Sequence, residues 1–504
     1  MMALKKPTDE ITLVDLLGDF IEIDAVDNRS LSGLKNDSRE IKPGDLFLAC
    51  RGYSSNGAQF IDDAISAGAC AVVVEADLVS KNAKYAVPVI RLMNLSARLG
   101  LIAHRFYQGP SDALNVIAVT GTNGKTSVAQ FIAMTLSAVN GRDVGLIGTL
   151  GIGTAGKLRP GVNTTPDALT IHHTLAEMRD NGTENVVMEV SSHGLVEARV
   201  AGVSFDIGIF TNLSQDHLDY HGTMEAYAEA KRQLFLFESL RSAVINIDDE
   251  YGQHLKNELE GKLRVISYST RQKTSTEEAN DHVYGYVTDT ALGALSLNIT
   301  SPWGEGTLSS KLSGEFNAGN LLASLSALCL SGITFTQALE GLSNVDAVAG
   351  RMECFAKAGF ARIIVDYAHT PDALEKALTS LQNITEGRLI CVVGCGGDRD
   401  KSKRPLMGKI AENNSDQIIL TSDNPRSEDP LAIIEHILAG FERRDAVNVI
   451  PDRSAAIAHA IKSAHVDDVI LIAGKGHETW QEIAGVRTPF SDRQLVRNLL
   501  EKTE

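Results

Sequence analysis

The six cysteines of this 504-residue chain form no C-x-x-C pair. Cys50, Cys70, Cys329, Cys354, Cys391 and Cys395 are scattered, mostly in apolar runs, which excludes a disulfide framework and predicts buried, reduced thiols. No run of about 18 apolar residues occurs, so no membrane span is expected. The opening "MMALKKPTDE" has two lysines with no apolar stretch behind them, which does not read as a secretory signal. Basic excess is also missing. The net charge is -17, which argues against broad binding to nucleic acid or to an anionic membrane. An anionic substrate stays possible, because lysine and arginine can gather in a cleft. There is no strong internal repeat and no low-complexity linker.

What is present is an ordinary soluble composition, 43% hydrophobic and 22% charged. The length suggests about three domains. Short apolar runs alternate with helical patterns, the signature of α/β architecture with parallel sheets. The first section reads strand, helix, strand through "GDLFLACRG", "FIDDAISAGA" and "CAVVVEAD", then a helix in "SARLGLIAHRFY". Gln108-Gly109-Pro110 breaks the pattern and marks a boundary. The second section has buried strands in "NVIAVT", "NVVMEV", "FDIGIFTNL" and "SAVINID", and a small antiparallel piece is expected at about 270–310. A third section, from near "VDAVAGRMECF", holds "RIIVDYAH", "RLICVVGCGG", "QIILTSDNP" and "DVILIAGKG", a second doubly wound sheet. Its polar residues follow the strand ends, where such sheets bind ligands. The expected domains are 1–108, 109–345 and 346–504.

The stretch "VIAVTGTNGKTS" carries the clearest chemistry. The common phosphate loop is G-x4-G-K-[ST], but Gly121 and Gly124 are separated by only two residues. The physical requirements survive. Glycines let backbone N–H groups turn inward, and the following helix points its positive end at the same place. That helix puts Val128, Phe131, Ile132, Leu136 and Val139 on one stripe. Lys125 can reach terminal phosphates, and Thr126 or Ser127 can ligate Mg²⁺. Glu189 and His217 both follow apolar strands and could hold metal near the phosphates. Each also has a plainer reading, as a strand-end acid and as a capping or core histidine.

"TGTNGKTS", "NTTPDA", "MEVSSHGL", "TNLSQDHLDYHG", "LSGEFNAGN", "GRME", "DYAHTPD", "CGGDRDKSKRP", "DNPR" and "GKGHE" stand in this order from about Asp37 to Glu478. The chain resembles the Mur ligases, ATP-dependent amino-acid ligases of bacterial cell-wall synthesis, and the shortened phosphate loop is that family's own version. The resemblance implies a Rossmann-like N-terminal domain for a UDP-sugar, a central P-loop ATPase α/β domain and a Rossmann-like C-terminal domain for an amino acid. It implies a cytoplasmic enzyme, expected to be a monomer. Its reaction would add meso-diaminopimelate to UDP-N-acetylmuramoyl-L-alanyl-D-glutamate through an acyl phosphate, using ATP and Mg²⁺. Lysine as the added amino acid and a folylpolyglutamate-type reaction are the alternatives within the family.

Residue by residue, the resemblance assigns the phosphates to Gly121, Thr122, Asn123, Gly124, Lys125, Thr126 and Ser127. Adenine and ribose fall to Asn317, Asn320, Arg351 and Asp366; Asn317 alone would read as a helix N-cap. Metal and catalytic roles fall to Lys125, Thr126, Glu189, His217 and Lys231. In similar ligases the lysine at Lys231 is carbamylated, although by itself it reads as an exposed helical lysine. Asn36, Ser38, Tyr53, Ser54 and Ser55 match the uridine segment. Asn163, Thr164, Thr165, Ser191, Glu197 and Arg199 match the muramoyl-dipeptide site, with Glu197 departing from a glutamine seen in some relatives. Ala349 stands where related sequences often have proline. Arg399, Asp423, Asn424, Pro425, Arg426, Gly474 and Glu478 match the amino-acid site. There Arg426 would grip a distal carboxylate, and Glu478 with the Gly474 carbonyl would receive the distal ammonium. "SDNPR" without the resemblance is a proline turn with a surface arginine.

Two other classes compete. "VVGCGGDRD" superficially suggests a dinucleotide fingerprint, but Asp398 and Arg399 replace its third small residue. A regulatory nucleotide-binding protein is disfavoured by the metal and substrate motifs.

Overall fold

The computed structural model describes residues 10–52, 56–80, 82–271 and 281–502. They fall into two compact units. The first takes the chain to Thr120 and adds Arg142–Gly208 and Ala230–Arg241; the second holds Gly121–Gly141, Ile209–Glu229 and the chain from Ser242 onward.

In the first unit, strands Gly33–Lys35, Asp45–Ala49, Ala71–Glu75 and Val89–Leu92 form a parallel sheet in chain order. Every residue of Asp45–Ala49 is buried, as expected of a strand covered on both faces. The expected helix forms at Leu95–Phe106 and buries Leu95, Ile102 and Ala103. Further on, Asn115–Thr120, Asn185–Glu189 and Gly145–Gly148 pair in parallel, and Gly151–Thr154 and Lys157–Arg159 continue antiparallel. This sheet brings Glu189 opposite Val119, one residue short of the phosphate loop.

In the second unit the Lys125–Asn140 helix buries Val128, Phe131, Ile132 and Leu136, leaving Val139 half-buried near its end. Ser242–Asn246, Arg264–Ser269 and His282–Ala291 run parallel. Ala294–Ser301 and Gly304–Ser310 then turn back antiparallel, the small piece expected from the alternating "GALSLNIT". A six-stranded sheet follows in the order Glu353–Phe355, Arg362–Asp366, Val469–Ala473, Leu389–Val393, Gln417–Leu420, Val447–Val449. Only its first strand is antiparallel. Its central strands Leu389–Val393 and Val469–Ala473 are uniformly apolar and buried, and the polar stretches begin where they end.

The cysteine expectation holds for half of them. Cys329, Cys391 and Cys395 are buried, Cys50 and Cys70 are half-buried, and Cys354 is exposed. Cys354 sits in the three-residue edge strand, where alternation turns its side chain outward. Among the described residues, no helix is long and apolar enough to cross a membrane.

One buried ion pair ties the last helix to the carboxyl-end edge of the six-stranded sheet. Arg453, at the start of the Arg453–Ser463 helix, donates to both oxygens of Asp492 at 2.8 and 2.7 Å. It also donates to the carbonyls of Ala473 at 2.9 Å and Ser422 at 3.4 Å, both just at strand ends. Both side chains are fully buried, so removing one charge strands the other. Arg453→Met is expected to cost about 3–5 kcal/mol, read as a lower urea midpoint, and Arg453→Met/Asp492→Leu is expected to recover part of that loss.

Candidate functional site

The phosphate loop owes its shape to two glycines. Gly121 has φ 147°, and a Cβ there would overlap the Thr211 hydroxyl. Gly124 has φ 87°, and a Cβ there would lie 2.5 Å from Asn320 Oδ1. The loop is pinned from outside. The Asn123 N–H donates to Asn212 Oδ1 at 2.9 Å, and the Asn123 side chain donates to Asp372 Oδ2 at 2.8 Å. Thr211 Oγ1 donates to the Asn123 carbonyl at 2.6 Å. Lys125 opens the helix and donates to the carbonyls of Gly121 and Thr122 at 2.8 and 3.0 Å.

Beside the loop lies a cavity of about 580 Å³ lined by Gly124, Ser127, Asn317, Asn320, Arg351 and Asp366, all expected nucleotide residues. Asn317 does not cap its helix: Phe316 holds that position, and the Asn317 amide donates back to the Ser313 carbonyl at 2.8 Å. Asn320 in turn donates to Asn317 Oδ1 at 2.9 Å. Arg351 stacks 4.4 Å above the Tyr367 ring and donates to Thr126 Oγ1 at 3.2 Å. Its Nε is buried and finds no acceptor among the described residues. Asp366 accepts the Met352 N–H at 2.6 Å; burial pushes its carboxyl up. A cradle that a Cβ would fill, an open guanidinium donor and paired amides fit a purine nucleotide with its phosphates.

A second cavity, of about 150 Å³, gathers His217, Arg399, Asp423, Asn424, Arg426, Gly474 and Glu478. Arg426 has φ 52°, a left-handed backbone uncommon for a residue other than glycine, and its guanidinium donates to the Gly397 carbonyl at 2.6 Å. Asn424 donates to Glu478 Oε2 at 2.8 Å. Asp216, His369 and Lys403 are among the members of this cavity that the sequence reading did not name. Asp216, 5% exposed, lies 3.3 Å from His217, 3.7 Å from His369 and 3.9 Å from Lys403. Burial pushes the Asp216 carboxyl up, but His369, His217 and Lys403 outweigh it and hold the group well below the usual carboxylate range. All three stand inside motifs already quoted, which was the signal available. Lys475, fully buried, was missed as well; it donates to Glu478 Oε2 at 2.6 Å.

In the first unit, Glu189 is buried rather than a surface acid. Its two oxygens accept the Thr149 N–H at 2.8 Å and the Thr149 hydroxyl at 3.0 Å. Thr149 and Thr164 share a hydrogen bond at 3.0 Å. Thr165 Oγ1 donates to the Glu189 carbonyl and accepts the Ser191 N–H, both at 2.9 Å. Arg199 donates to the Thr165 carbonyl at 2.7 Å and to Glu197 Oε2 at 2.9 and 2.6 Å. Thr164, Thr165, Ser191, Glu197 and Arg199 therefore form one cluster, and Asn163 is exposed at its rim. Asn36 is exposed and Ser38 half-buried after the Gly33–Lys35 strand. Tyr53, Ser54 and Ser55 lie outside the described residues.

Lys231 overturns its plain reading. It is 1% exposed, because the Met224–Arg232 helix places it four residues after Tyr227 and on the same buried face. His217 precedes the Leu218–His221 turn with φ 55°, but its side chain makes no capping bond. Among the described residues, no group of three or more His, Cys, Asp or Glu gathers into a metal cluster.

Gly121→Ala is expected to raise the Kd for ATP by roughly tenfold or more, equivalent to about 1.4 kcal/mol, read by calorimetric titration; unchanged affinity would contradict the cradle.

Comparison with known proteins agrees along the chain. Residues 30–107 match the Mur ligase family catalytic domain, 119–328 the Mur ligase middle domain and 350–476 the Mur ligase glutamate ligase domain. The UDP-N-acetylmuramoyl-L-alanyl-D-glutamate–2,6-diaminopimelate ligase of Coxiella burnetii is 48% identical over 470 residues, covering 93% of this chain and 96% of that protein. The enzyme of the same name from Pseudomonas aeruginosa is 47% identical over 468 residues, 93% of this chain and 94% of that protein. A solved structure of a ligase of that name superposes with a TM-score of 0.69 at 35% identity, covering 98% of this chain and 99% of that one. The MurF ligase from Thermotoga maritima, in complex with ADP, shares the fold at a TM-score of 0.64 and 20% identity, covering 95% of this chain and 99% of that one. With a three-domain α/β fold and these matches over most of its length, the chain belongs to the Mur ligase family of ATP-dependent amide-forming ligases.

Proposed function

We propose that this enzyme joins meso-diaminopimelate to UDP-N-acetylmuramoyl-L-alanyl-D-glutamate at the cost of ATP, in peptidoglycan precursor synthesis in the cytoplasm. The observation that carries the reading is Tyr367, which lines both the cavity beside the phosphate loop and the cavity around Arg426. Asp366, just before it, faces the nucleotide cavity; His369, just after, faces the amino-acid cavity. One strand end thus separates the phosphate donor from the amine by a single residue.

The chemistry requires that adjacency. A carboxylate resists amine attack because it is anionic and has no viable leaving group. Taking the terminal phosphoryl group turns it into an acyl phosphate, which the amine displaces with loss of inorganic phosphate. Bringing a carboxylate to a triphosphate needs cations, and the Lys125 ammonium would supply a fixed one. Mg²⁺ would add mobile charge neutralisation, with Thr126, Glu189, His217 and Lys231 as its assigned ligands. The burial of Lys231 supports a lysine modified to a carbamate, which exchanges a buried ammonium for an anion with oxygen donors. The Thr164, Thr165, Ser191 and Arg199 cluster suits the acceptor peptide, with Asn36, Ser38, Tyr53, Ser54 and Ser55 serving the uridine end. The reading takes 1–108 for the UDP-sugar, 109–345 for ATP and 346–504 for the amino acid.

Selection of the amine rests on Arg426. Diaminopimelate brings a distal carboxylate that a guanidinium can grip, whereas lysine leaves that guanidinium short of a partner. In a panel of diaminopimelate, lysine, ornithine and glutamate, ADP formation is expected with the first, and lysine should fall short by roughly two orders of magnitude in kcat/KM. Equal use of lysine would contradict the reading. Lys231→Ala is expected to lose nearly all activity and regain part of it with added short carboxylates, and gentle mass spectrometry should show one added CO₂ on the intact protein. Full activity without rescue would remove the carbamate.

A further inference from the structure

The lysine of "AGKGHE" has no task in the account above, yet its surroundings are specific. Lys475 follows the Val469–Ala473 strand and is fully buried. A buried ammonium is heavily penalised unless it is paired and hydrogen-bonded. Lys475 is both: it donates to Glu478 Oε2 at 2.6 Å and to Asn424 Oδ1 at 2.9 Å, and it lies 5.4 Å from the centre of the Trp480 ring.

These contacts form a closed triangle. Asn424 Oδ1 also accepts the Glu482 N–H at 3.1 Å, so the amide oxygen is committed to two donors. Its nitrogen must then face Glu478 Oε2, to which it donates at 2.8 Å. Two donors converge on Oε2 and fix the plane of the carboxylate. Glu478 Oε1 accepts no hydrogen bond among the described residues, and the side chain, 15% exposed, lines the amino-acid cavity. The triangle therefore offers one oriented oxygen to a ligand. It also cancels most of Glu478's charge at close range, so what reaches the cavity is direction more than net negative potential.

We propose that Lys475 is a positioning residue for amino-acid selection, locking Asn424 and Glu478 so that the distal ammonium of the incoming diamino acid meets a single fixed carboxylate oxygen. The inference rests on the reading of this cavity as the amino-acid site and deepens it.

The test measures KM for meso-diaminopimelate and for ATP in the full-length enzyme, in Lys475→Gln, Lys475→Arg, Glu478→Gln and the Lys475→Gln/Glu478→Gln double variant. Lys475→Gln is expected to raise the diaminopimelate KM by about tenfold or more and leave the ATP KM within about twofold. Lys475→Arg, which keeps charge and donors, should show a smaller rise confined to the same substrate. The double variant should be no worse than about twofold beyond the worse single variant, because both changes break the same triangle. Losses that multiply, or ATP and diaminopimelate KM values that rise together, would overturn the proposal. Should Lys475→Gln fail to fold, Lys475→Arg alone decides: a rise for diaminopimelate only supports the triangle, and a joint rise or none refutes it. Wild-type enzyme that does not turn over diaminopimelate would instead refute the functional reading itself.

Discussion

A carboxylate cannot be brought against a triphosphate unless fixed positive charge stands between them, and the placement of charge in this molecule follows from that constraint. Parallel strands collect their carboxyl ends along one edge, and the polar loops that follow them share it. At that edge the second unit sets Asn123 and Gly124 of the phosphate loop and the Arg351 guanidinium around the larger cavity, on one side of Tyr367. On the other side stand Arg399, Lys403 and Arg426 with Asp216, Asp423 and Glu478 among them. Tyr367 is the partition: its ring carries Arg351 on one face of this arrangement and its backbone carbonyl meets His369 Nδ1 at 2.8 Å.

Charges that do not meet substrate are satisfied internally, and this is what makes the sites rigid. Arg453 and Asp492 hold two strand ends together. Arg404, fully buried, donates to both oxygens of Glu428 at 3.0 and 2.8 Å, behind the "GGDRD" loop. The guanidinium of Arg404 outweighs the effect of burial and holds the Glu428 carboxyl down at about 2. A buried pair of this kind adds little net stability, but breaking it is costly, so it fixes the loop geometry that the ligand then meets.

Much of this was legible in the sequence, for identifiable reasons. Strands such as "LICVV" and "VILIA" are continuous apolar runs, and the glycines of "TGTNGK" announce a loop whose backbone conformation side chains oppose. Periodicity placed the Lys125–Asn140 helix for the same reason. The misreadings have a common origin: exposure is a tertiary property. Lys231 looks like a solvated lysine in a local window, and Cys354 looks like a core thiol. What packs on each face of the element decides each case. Asp216 is the clearest, since its three basic partners include His369 and Lys403, more than 150 residues away by position.

The central claim is that phosphoryl transfer to the acceptor carboxylate precedes amide formation. Supplying UDP-N-acetylmuramoyl-L-alanyl-D-glutamate with ¹⁸O in its reacting carboxylate tests it most directly. One labelled oxygen per turnover should appear in the released inorganic phosphate. Phosphate free of label, with amide still formed, would contradict the account.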